Sequence, residues 1–360
     1  MEREIERCNR CILPRNYPGV SFDEHGICEL CRNYKELQYL GPEALKTAIK
    51  SHAQDGDDIN KDYDCLLGLS GGRDSTFLVH YLVKVLGLRV LAYCADNGHM
   101  PAQTVASLKT ATKALNTDLV VERHGYLETC LRHHLLAWMK RPSAALVTMI
   151  CTGCRLGINK GLSSVSITKR VPVVVTGGTP FEGGAYKTDL LRSDPSSRRR
   201  SSLLWGYARH IVRNPRWIVR PSCLAVQVAD FRYHFNRRRI FEKRGALVSP
   251  FHRYLHWKEE DIVATITQEL DWQSGTQSSW RGDCAIAILK GHMYRSMLGF
   301  NDKDDHLSLL VRDHQISREE ALERIQAEKS APPEILESVL ARVNIDFSDF
   351  DKALKKKGRV

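Results

Sequence analysis

The sequence has no long apolar run and no apolar segment near its start. None of its hydrophobic stretches approaches the roughly 18 residues that a membrane-spanning helix needs, so we expect no span. Residues 1–7 lack the hydrophobic region of a secretory signal. We therefore expect a cytoplasmic protein whose eleven cysteines are reduced, some of them as metal ligands rather than in disulfides.

Acidic residues are scarce in one segment only. Residues 192–244 contain fourteen arginines and lysines against three acidic residues, whereas the rest of the chain balances, so this segment accounts for the net charge of +11. Its arginines alternate with aromatic residues, namely Trp205, Tyr207, Trp217, Tyr233 and Phe235. Such a mixture suits phosphodiesters, stacked bases or the headgroups of an anionic membrane. The alternative is a solvated basic face with the aromatics in the core.

A Walker lysine is also absent, although residues 66–75 (LLGLSGGRDS) have the features of a phosphate-binding turn. An apolar strand ends before Ser70, two glycines follow, and a helical pattern begins at Ser75. The glycines let the backbone approach a ligand, while free N–H groups and the helix dipole face its negative charge. Ser70 and Ser75 can add hydroxyl donors, and Asp74 can hold Mg²⁺. The alternative is a surface turn that ends in an N-cap serine.

Two C-x-x-C pairs lie near the start of the chain. They are Cys8 with Cys11 and Cys28 with Cys31, separated by sixteen residues. This spacing predicts one tetrahedral zinc ion in a knuckle or ribbon, and four thiolates leave no open coordination position, which indicates a structural role. Four unliganded cysteines and a redox dithiol are the alternatives, the second disfavoured because nothing nearby resembles a thioredoxin unit.

These two motifs carry family resemblances. The pattern S-G-G-x-D-S after a strand resembles the signature of the PP-loop ATP pyrophosphatases, which cleave ATP between its α- and β-phosphates and adenylate a substrate oxygen. The sequence from Cys8 to Tyr34 resembles the N-terminal region of the bacterial N-acetyl sugar amidotransferases. These PP-loop enzymes of surface-polysaccharide assembly convert an acetamido sugar into an acetamidino sugar. The resemblance extends, more weakly, to about residue 325.

The predicted fold is α/β, a doubly wound parallel sheet of the adenine nucleotide α-hydrolase kind. Apolar strands before Ser70 and at 89–94, 117–121 and 171–176 alternate with helical patterns, which favours parallel βαβ units. We expect a zinc knuckle at 1–40, an ATP-binding domain at 60–190, a basic segment at 191–249 and a helical C-terminal part at 250–360.

The resemblance implies the residues of an ATP site, with Asp74 as the catalytic residue acting through Mg²⁺. The predicted ATP- and pyrophosphate-binding set is Ser70, Gly71, Gly72, Arg73, Asp74, Ser75, Asp96, Asn97, Gly177 and Gly178. Asp96 and Asn97 follow the second strand, where they either contact adenosine or simply form a turn. The family commonly has an acidic residue where this chain has Gly178. Residues 181–186 are expected to form a substrate-facing loop.

Three further cysteines form a possible second site. Cys151 and Cys154 make another C-x-x-C pair, and Cys284 lies far along the chain. Amidotransferases and some PP-loop tRNA thiolases have cysteines in comparable places, and in the thiolases three such residues hold a [4Fe-4S] cluster with one iron open. A metal or cluster site and buried structural cysteines both remain open. The other cysteines, Cys65, Cys94, Cys130 and Cys223, are expected in the core.

The predicted activity is therefore ATP-dependent adenylation of an acetamido carbonyl, followed by attack of ammonia to give an acetamidino sugar. No stretch resembles a glutaminase, so we expect ammonia to come from a partner, a glutaminase subunit, or from solution. The substrate is expected to be a nucleotide- or lipid-linked sugar, and the protein to associate with the inner face of an anionic membrane. The rival is a tRNA thiolase using Cys151, Cys154 and Cys284. A third interpretation, a nucleic-acid-binding module without catalysis, would not explain the loop at 70–75.

Overall fold

The computed structural model describes residues 5–53, 62–243, 245–274, 282–327 and 331–356. Within them, the strands are β1 (Cys65–Gly68), β2 (Val90–Asp96), β3 (Asp118–Arg123), β4 (Val173–Thr176) and β5 (Ala246–Val248). They form one sheet in the order β3-β2-β1-β4-β5, and every pairing is parallel.

Helices connect and cover these strands. They are α1 (Glu29–Arg32), α2 (Pro42–Ala53), α3 (Arg73–His80), α4 (Ala102–Ala114), α5 (Tyr126–Lys140), α6 (Ala144–Val147), α7 (Thr152–Thr168), α8 (Tyr186–Leu191), α9 (Arg200–Arg213), α10 (Pro221–Glu242), α11 (Pro250–Arg253), α12 (Glu259–Leu270), α13 (Ala285–Leu298), α14 (Asp302–Arg312), α15 (Arg318–Ala327), α16 (Pro333–Ala341) and α17 (Phe347–Lys355). A π-helical turn, Tyr81–Val85, extends α3. No helix in these described ranges is long and apolar enough to cross a membrane.

Strands β1, β2 and β4 are buried on both faces of the sheet, whereas the edge strand β3 stays partly exposed. Successive side chains of a strand point to opposite sides, so each strand contributes to both faces. On one face, Leu66, Leu91, Tyr93 and Val174 pack with Leu162 and Val165 of α7 and Phe241 of α10. On the other, Leu67, Val90, Ala92 and Val175 pack with Leu45 of α2, Leu78 of α3 and Leu108 of α4. Two buried faces explain the continuous apolar runs in the strands. The predicted doubly wound parallel sheet is confirmed.

The N-terminal knuckle and the C-terminal helices share one core. The cluster that contains Cys8, Cys11, Cys28 and Cys31 also contains Leu289 and Met293 of α13, Phe300, Leu336 of α16 and Phe350 of α17. An N-terminal Cys₄ group and a helical C-terminal part therefore lie as predicted. Their common core joins the two ends of the chain.

The fifth strand was not predicted. Residues 246–248 pair with β4, so the sheet takes its edge strand from the end of the range assigned to the basic segment. Three residues give too little periodicity to stand out after the long helix α10.

The strand order places a topological switch point between β1 and β4. Ligands of open α/β sheets bind in the crevice beyond the carboxyl ends of the strands at such a point. The turns that follow β1 and β4, at residues 69–72 and 177–180, are therefore where a ligand is expected.

Candidate active site and thiolate clusters

Two serines stabilise the turn after β1 by hydrogen bonds within the turn. The Ser70 N–H donates to Ser75 Oγ at 3.1 Å, the Gly72 N–H donates to Ser70 Oγ at 3.3 Å, and the two hydroxyl oxygens lie 3.2 Å apart. Both hydroxyls thus lie at the first turn of α3, whose leading N–H groups have no partners within the helix. This arrangement provides hydroxyl and amide donors for a phosphate group.

Glycine is required at position 71 by the backbone conformation there and by the close approach of a neighbouring helix. Its φ is +76°, and a Cβ there would come within 2.8 Å of the Thr104 carbonyl oxygen. The Trp272 indole N–H donates to the Gly71 carbonyl at 3.1 Å, and Thr104 Oγ1 donates to the Gly282 carbonyl at 3.0 Å. Helix α4 and the segment before α13 therefore fix the turn.

Asp74 is held in place by a residue far along the chain. Its Oδ1 accepts from the Trp257 indole N–H at 2.9 Å and from Arg73 Nε at 3.0 Å. The side chain remains 22 % exposed. The carboxylate is thus orientated at the start of α3 while part of it stays accessible.

A charged network anchors Arg73. Its guanidinium is almost fully buried, pairs with Glu259 and lies 4.9 Å from the centre of the Trp257 ring. Glu259 also pairs with Arg324 at 2.7 Å. Burial alone would raise the pKa of Glu259, but Arg73 and Arg324 outweigh it and lower the pKa. Sequence reasoning missed this network, since its members lie on α3, α12 and α15.

The turn after β4 meets the turn after β1. A Cβ on Gly177 would lie 3.3 Å from Ser75 Cα, so glycine permits this approach of the two backbones. At Gly178, the position of a Cβ lies 3.7 Å from Glu182 Oε1. The Glu182 carboxylate therefore lies beside this glycine turn.

A second carboxylate lies beside the glycine turn. The position of a Cβ on Gly72 is 3.2 Å from Asp283 Oδ2. Asp283 precedes α13, which the Ala285 N–H ties to the His99 carbonyl beyond β2 at 3.0 Å. Carboxylates are suitable ligands for Mg²⁺, and Asp74 and Asp283 each lie beside this glycine turn. Sequence reasoning did not single out Asp283, whose neighbour in space is set by the fold.

The residues at the end of β2 make local turns. Asp96 Oδ1 accepts from the Gly98 N–H at 2.7 Å, and Asn97 Oδ1 accepts from the His99 N–H at 2.8 Å. The Asn97 amide nitrogen lies 3.3 Å from Cys284 Sγ and 3.7 Å from Cys154 Sγ. Both ends of the Asn97 side chain are therefore engaged, and its amide points to the cysteines.

The fold brings Cys151, Cys154 and Cys284 together at this edge of the sheet. Burial and the neighbouring thiols Cys151 and Cys284 raise the pKa of Cys154 to about 12. The pKa of Cys284 is raised to about 11, by burial and then by Cys151 and Asp283. Their sulfur atoms are more widely spaced than the groups described next, since they do not all lie within 4.8 Å of one another.

The four N-terminal cysteines form a compact shell. Their sulfur atoms all lie within 4.8 Å of one another, with Cys8 Sγ to Cys31 Sγ and Cys11 Sγ to Cys28 Sγ both 3.8 Å. A tetrahedron with metal–sulfur bonds of about 2.3 Å has sulfur–sulfur edges of about 3.8 Å, so the residues fit one ion. The buried Arg312 guanidinium donates to Cys11 Sγ at 3.4 Å, which offsets the charge of four thiolates.

A third group within 4.8 Å combines Cys130, His134 and Cys223, all buried. The Gln227 amide nitrogen donates to the Trp217 carbonyl at 2.8 Å, and the same nitrogen lies 2.9 Å from His134 Nε2. That nitrogen can only donate, so His134 Nε2 accepts and is unprotonated. Burial lowers the pKa of His134 to about 3, as expected for a neutral core histidine. This packing agrees with the expectation that Cys130 and Cys223 belong to the core.

Comparison with known proteins adds a domain assignment to this doubly wound α/β fold. Residues 277–359 match the model described as LPS biosynthesis protein WbpG-like, C-terminal domain. The C-terminal region of the chain is therefore similar to this domain, which supports the family expectation drawn from the N-terminal motifs. A search of curated proteins finds no match.

Three solved structures show distant similarity. NMN synthetase from Francisella tularensis has 13% identity and a TM-score of 0.39, covering 79% of this chain and 90% of that one. The U34-tRNA thiolase NcsA from Methanococcus maripaludis, with its [4Fe-4S] cluster, has 13% identity and a TM-score of 0.34, covering 89% and 88%. NH3-dependent NAD synthetase from Campylobacter jejuni has 14% identity and a TM-score of 0.28, covering 54% and 93%. At such low TM-scores these likenesses carry no conclusion about chemistry.

Proposed function

We propose that this protein is an ATP-dependent, AMP- and pyrophosphate-forming amidotransferase that converts the acetamido group of an N-acetyl sugar into an acetamidino group. The observation that carries the proposal is the Ser70–Ser75 turn at the switch point between β1 and β4. There, paired serine hydroxyls and the N-terminus of α3 meet the glycine turn after β4. That location and those donors suit the phosphates of a nucleotide.

The chemistry follows from the low reactivity of an amide. The acetamido oxygen attacks the α-phosphorus of ATP and forms a new P–O bond. The bond between the α-phosphorus and the oxygen that bridges to the β-phosphate breaks, and pyrophosphate leaves. Ammonia then adds to the activated carbon, loses a proton, and AMP departs with the former carbonyl oxygen. The Ser70 and Ser75 hydroxyls and the first-turn N–H groups of α3 stabilise the charge that develops on the departing pyrophosphate.

Two metal ions complete the proposal. Asp74 and Asp283 would hold Mg²⁺, which neutralises phosphate charge and acts as a Lewis acid. Cys8, Cys11, Cys28 and Cys31 would hold structural Zn²⁺, with no open coordination position. The role of each carboxylate is set by its place beside the turn: Asp74 on α3, and Asp283 facing Gly72.

The biological setting rests on the domain at 277–359. A WbpG-like domain of LPS biosynthesis suits a surface-polysaccharide pathway, and the arginine-rich segment suits a nucleotide- or lipid-linked sugar diphosphate. Ammonia is proposed to come from a separate glutaminase subunit. We propose that the reaction takes place in the cytoplasm, where ATP is available.

A pyrophosphate-release assay tests the proposal. Wild-type protein is given ATP, Mg²⁺, ammonium and a panel of acetamido nucleotide-sugars, and Asp74→Asn is compared with Asp351→Asn, a surface carboxylate on α17. We expect release to require the sugar, to fall by about a hundredfold or more in Asp74→Asn, and to be unchanged in Asp351→Asn. Full activity of a folded Asp74→Asn protein would exclude the assigned role.

A second candidate function is thiolation of tRNA. It is favoured by one observation, the convergence of Cys154 and Cys284 on the Asn97 amide with Cys151 nearby. Three cysteines fit a [4Fe-4S] cluster with one open iron, which would supply sulfur chemistry. Anaerobically purified protein separates the two functions. Amidine formation from a sugar, with or without iron, supports the first. About four irons per chain together with thiolated tRNA and no amidine supports the second.

A further inference from the structure

Helices α9 and α10 form an antiparallel hairpin that projects apolar side chains into solvent. The Tyr207 hydroxyl on α9 donates to Gln227 Oε1 on α10 at 2.6 Å, and Arg200 lies over the Phe235 ring, which sets the antiparallel pairing. On the outer side of α9, Trp205 is 72% exposed and Val212 is 80% exposed. The hairpin therefore has an apolar surface as well as a packed one.

The exposed apolar residues follow helical spacing. Leu204, Ala208 and Val212 recur every four residues on α9, Leu224 and Val228 do so on α10, and Val219 lies in the connection. Residues four apart lie on one face of a helix, so these side chains form a stripe along each helix of the hairpin rather than scattered points. Val219 and Val228 are 65% and 62% exposed, so the described structure leaves this stripe uncovered.

Arginines lie beside the exposed apolar residues of the hairpin, and acidic residues are scarce among them. Between Asp194 and Glu242 the sequence has eleven arginines and a single acidic residue, Asp230. Asp230 is buried and paired with Arg155 at 2.6 Å, so it adds no negative charge to the surface. Exposed arginines stand at 209, 213, 216, 220 and 232, on both helices and their connection. The surface is therefore both apolar and positively charged.

We infer that the outer face of the α9–α10 hairpin docks on an anionic phospholipid bilayer. Aliphatic side chains are stabilised in the boundary between headgroups and acyl chains, and tryptophan is enriched there. Arginines beside them are attracted to anionic headgroups. The hairpin lies on the bilayer and does not cross it, because its polar residues and arginines exclude insertion across the hydrocarbon core.

The burial pattern favours a bilayer over a nucleic acid. Proteins that bind single-stranded RNA stack bases on exposed aromatic rings. Here Trp217 and Phe241 are buried. Of the seven aromatic residues in the described part of the segment, only Trp205 is exposed, and the others (Tyr207, Phe231, Tyr233 and Phe235) are half-buried. The solvent-exposed apolar surface is mainly aliphatic, which cannot stack on bases but partitions into lipid.

Helix α10 links the docked face to the region of Cys151 and Cys154. Helix α10 carries exposed Val228 and, two residues later, Asp230, which pairs with Arg155 beside Cys154. The docked face and the cysteine region are thus connected by one helix. This inference does not depend on the proposed reaction, because lipid binding is measured without ATP or sugar.

Vesicle co-sedimentation of the full chain tests the inference. The probes are vesicles of phosphatidylcholine alone and vesicles in which about one-third of the lipid is phosphatidylglycerol. Wild-type protein is expected to bind the anionic vesicles, with salt weakening the binding, and to bind the neutral ones at least tenfold less tightly. Equal binding to both vesicles, or binding to neither, would overturn the inference.

Paired variants assign the binding to the hairpin. Arg209→Ser with Arg213→Ser is expected to weaken binding roughly 30-fold, and Trp205→Ser with Val212→Ser at least tenfold. The matched controls are Lys352→Ser with Lys355→Ser for charge, and Val85→Ser with Ile167→Ser for exposed apolar surface. Retained binding in both hairpin variants, or equal loss in the controls, would contradict the inference.

Two further measurements exclude other occupants. The difference in tryptophan fluorescence between wild type and Trp205→Phe reports on Trp205. Brominated lipids should quench this difference, since Trp205 would lie at the boundary between headgroups and acyl chains. Sedimentation velocity should show the same oligomeric state for wild type and for Trp205→Ser with Val212→Ser. A dimer that dissociates in the variant would assign the face to a second copy, and tight binding of single-stranded RNA without vesicle binding would assign it to nucleic acid.

Discussion

Two cysteine groups in this molecule differ in how they are built. The N-terminal four lie within 24 residues of one another, are fully buried, and hold their sulfur atoms within 4.8 Å. Cys151, Cys154 and Cys284 are partly exposed, more widely spaced and drawn from opposite halves of the chain. The first group is closed by local sequence and by Arg312, whereas the second is assembled by the fold at the edge of the sheet.

This difference separates a structural role from a functional one. A closed tetrahedral shell has no position for a substrate, and metal bound there contributes folding free energy. The second group is partly exposed at the edge of the sheet, where the proposed cluster would be open to a substrate. We therefore expect damage to the first group to destabilise the protein and damage to the second to change its chemistry.

The largest effect is expected from Cys28→Ser. Losing one of four thiolates should release the metal and destabilise the fold by on the order of 5 kcal/mol, because the shell shares its core with α13, α16 and α17. Elemental analysis and thermal unfolding measure both quantities. A variant with one zinc per chain and unaltered unfolding would show that the four cysteines are not a metal site.

A smaller effect is expected from Arg312→Met. This change removes the donor to Cys11 Sγ while keeping the volume of a buried side chain, and loss of such an outer contact typically lowers metal affinity about 10- to 100-fold. Chelator competition measures the affinity. Arg253→Met, at an exposed position, should leave it unchanged. Equal affinities for all three proteins would remove Arg312 from the site.

Cys284→Ser should hardly affect stability. Its side chain is only partly buried and closes no compact shell, so we expect the free energy of unfolding to fall by no more than about 1 kcal/mol and the N-terminal metal to remain. Any iron bound by the second group should be lost. If Cys284→Ser unfolded as readily as Cys28→Ser, the contrast between the groups would fail.

The smallest effect is expected from Asn97→Ala on ATP binding. Both ends of the Asn97 amide are already engaged, by the His99 N–H and by two sulfur atoms. Its removal should change the Kd for ATP by no more than about threefold while altering iron retention by the cysteines. A tenfold loss of ATP affinity with an unaltered cysteine group would instead indicate contact with adenosine.

How far sequence reasoning reached depended on the range of the contacts. The Cys₄ shell follows from two C-x-x-C pairs, and β1, β2 and β4 follow from apolar runs, because these signals are local. The Trp257 contact to Asp74 and the Trp272 contact to Gly71 join residues more than 180 positions apart, so no spacing reveals them. No local sequence signal marks Asp283 either, since only folding places it beside Gly72.

Transfer of oxygen tests the central claim, that the turn after β1 supports adenylation of an acetamido oxygen. The acetamido sugar is labelled with ¹⁸O in its carbonyl and incubated with protein, ATP, Mg²⁺ and ammonium, and the AMP is analysed by mass spectrometry. We predict one ¹⁸O in the phosphate of each AMP formed, in equal amount with acetamidino sugar, and neither product with Asp74→Asn. AMP without the label, or acetamidino sugar formed without AMP, would contradict the account.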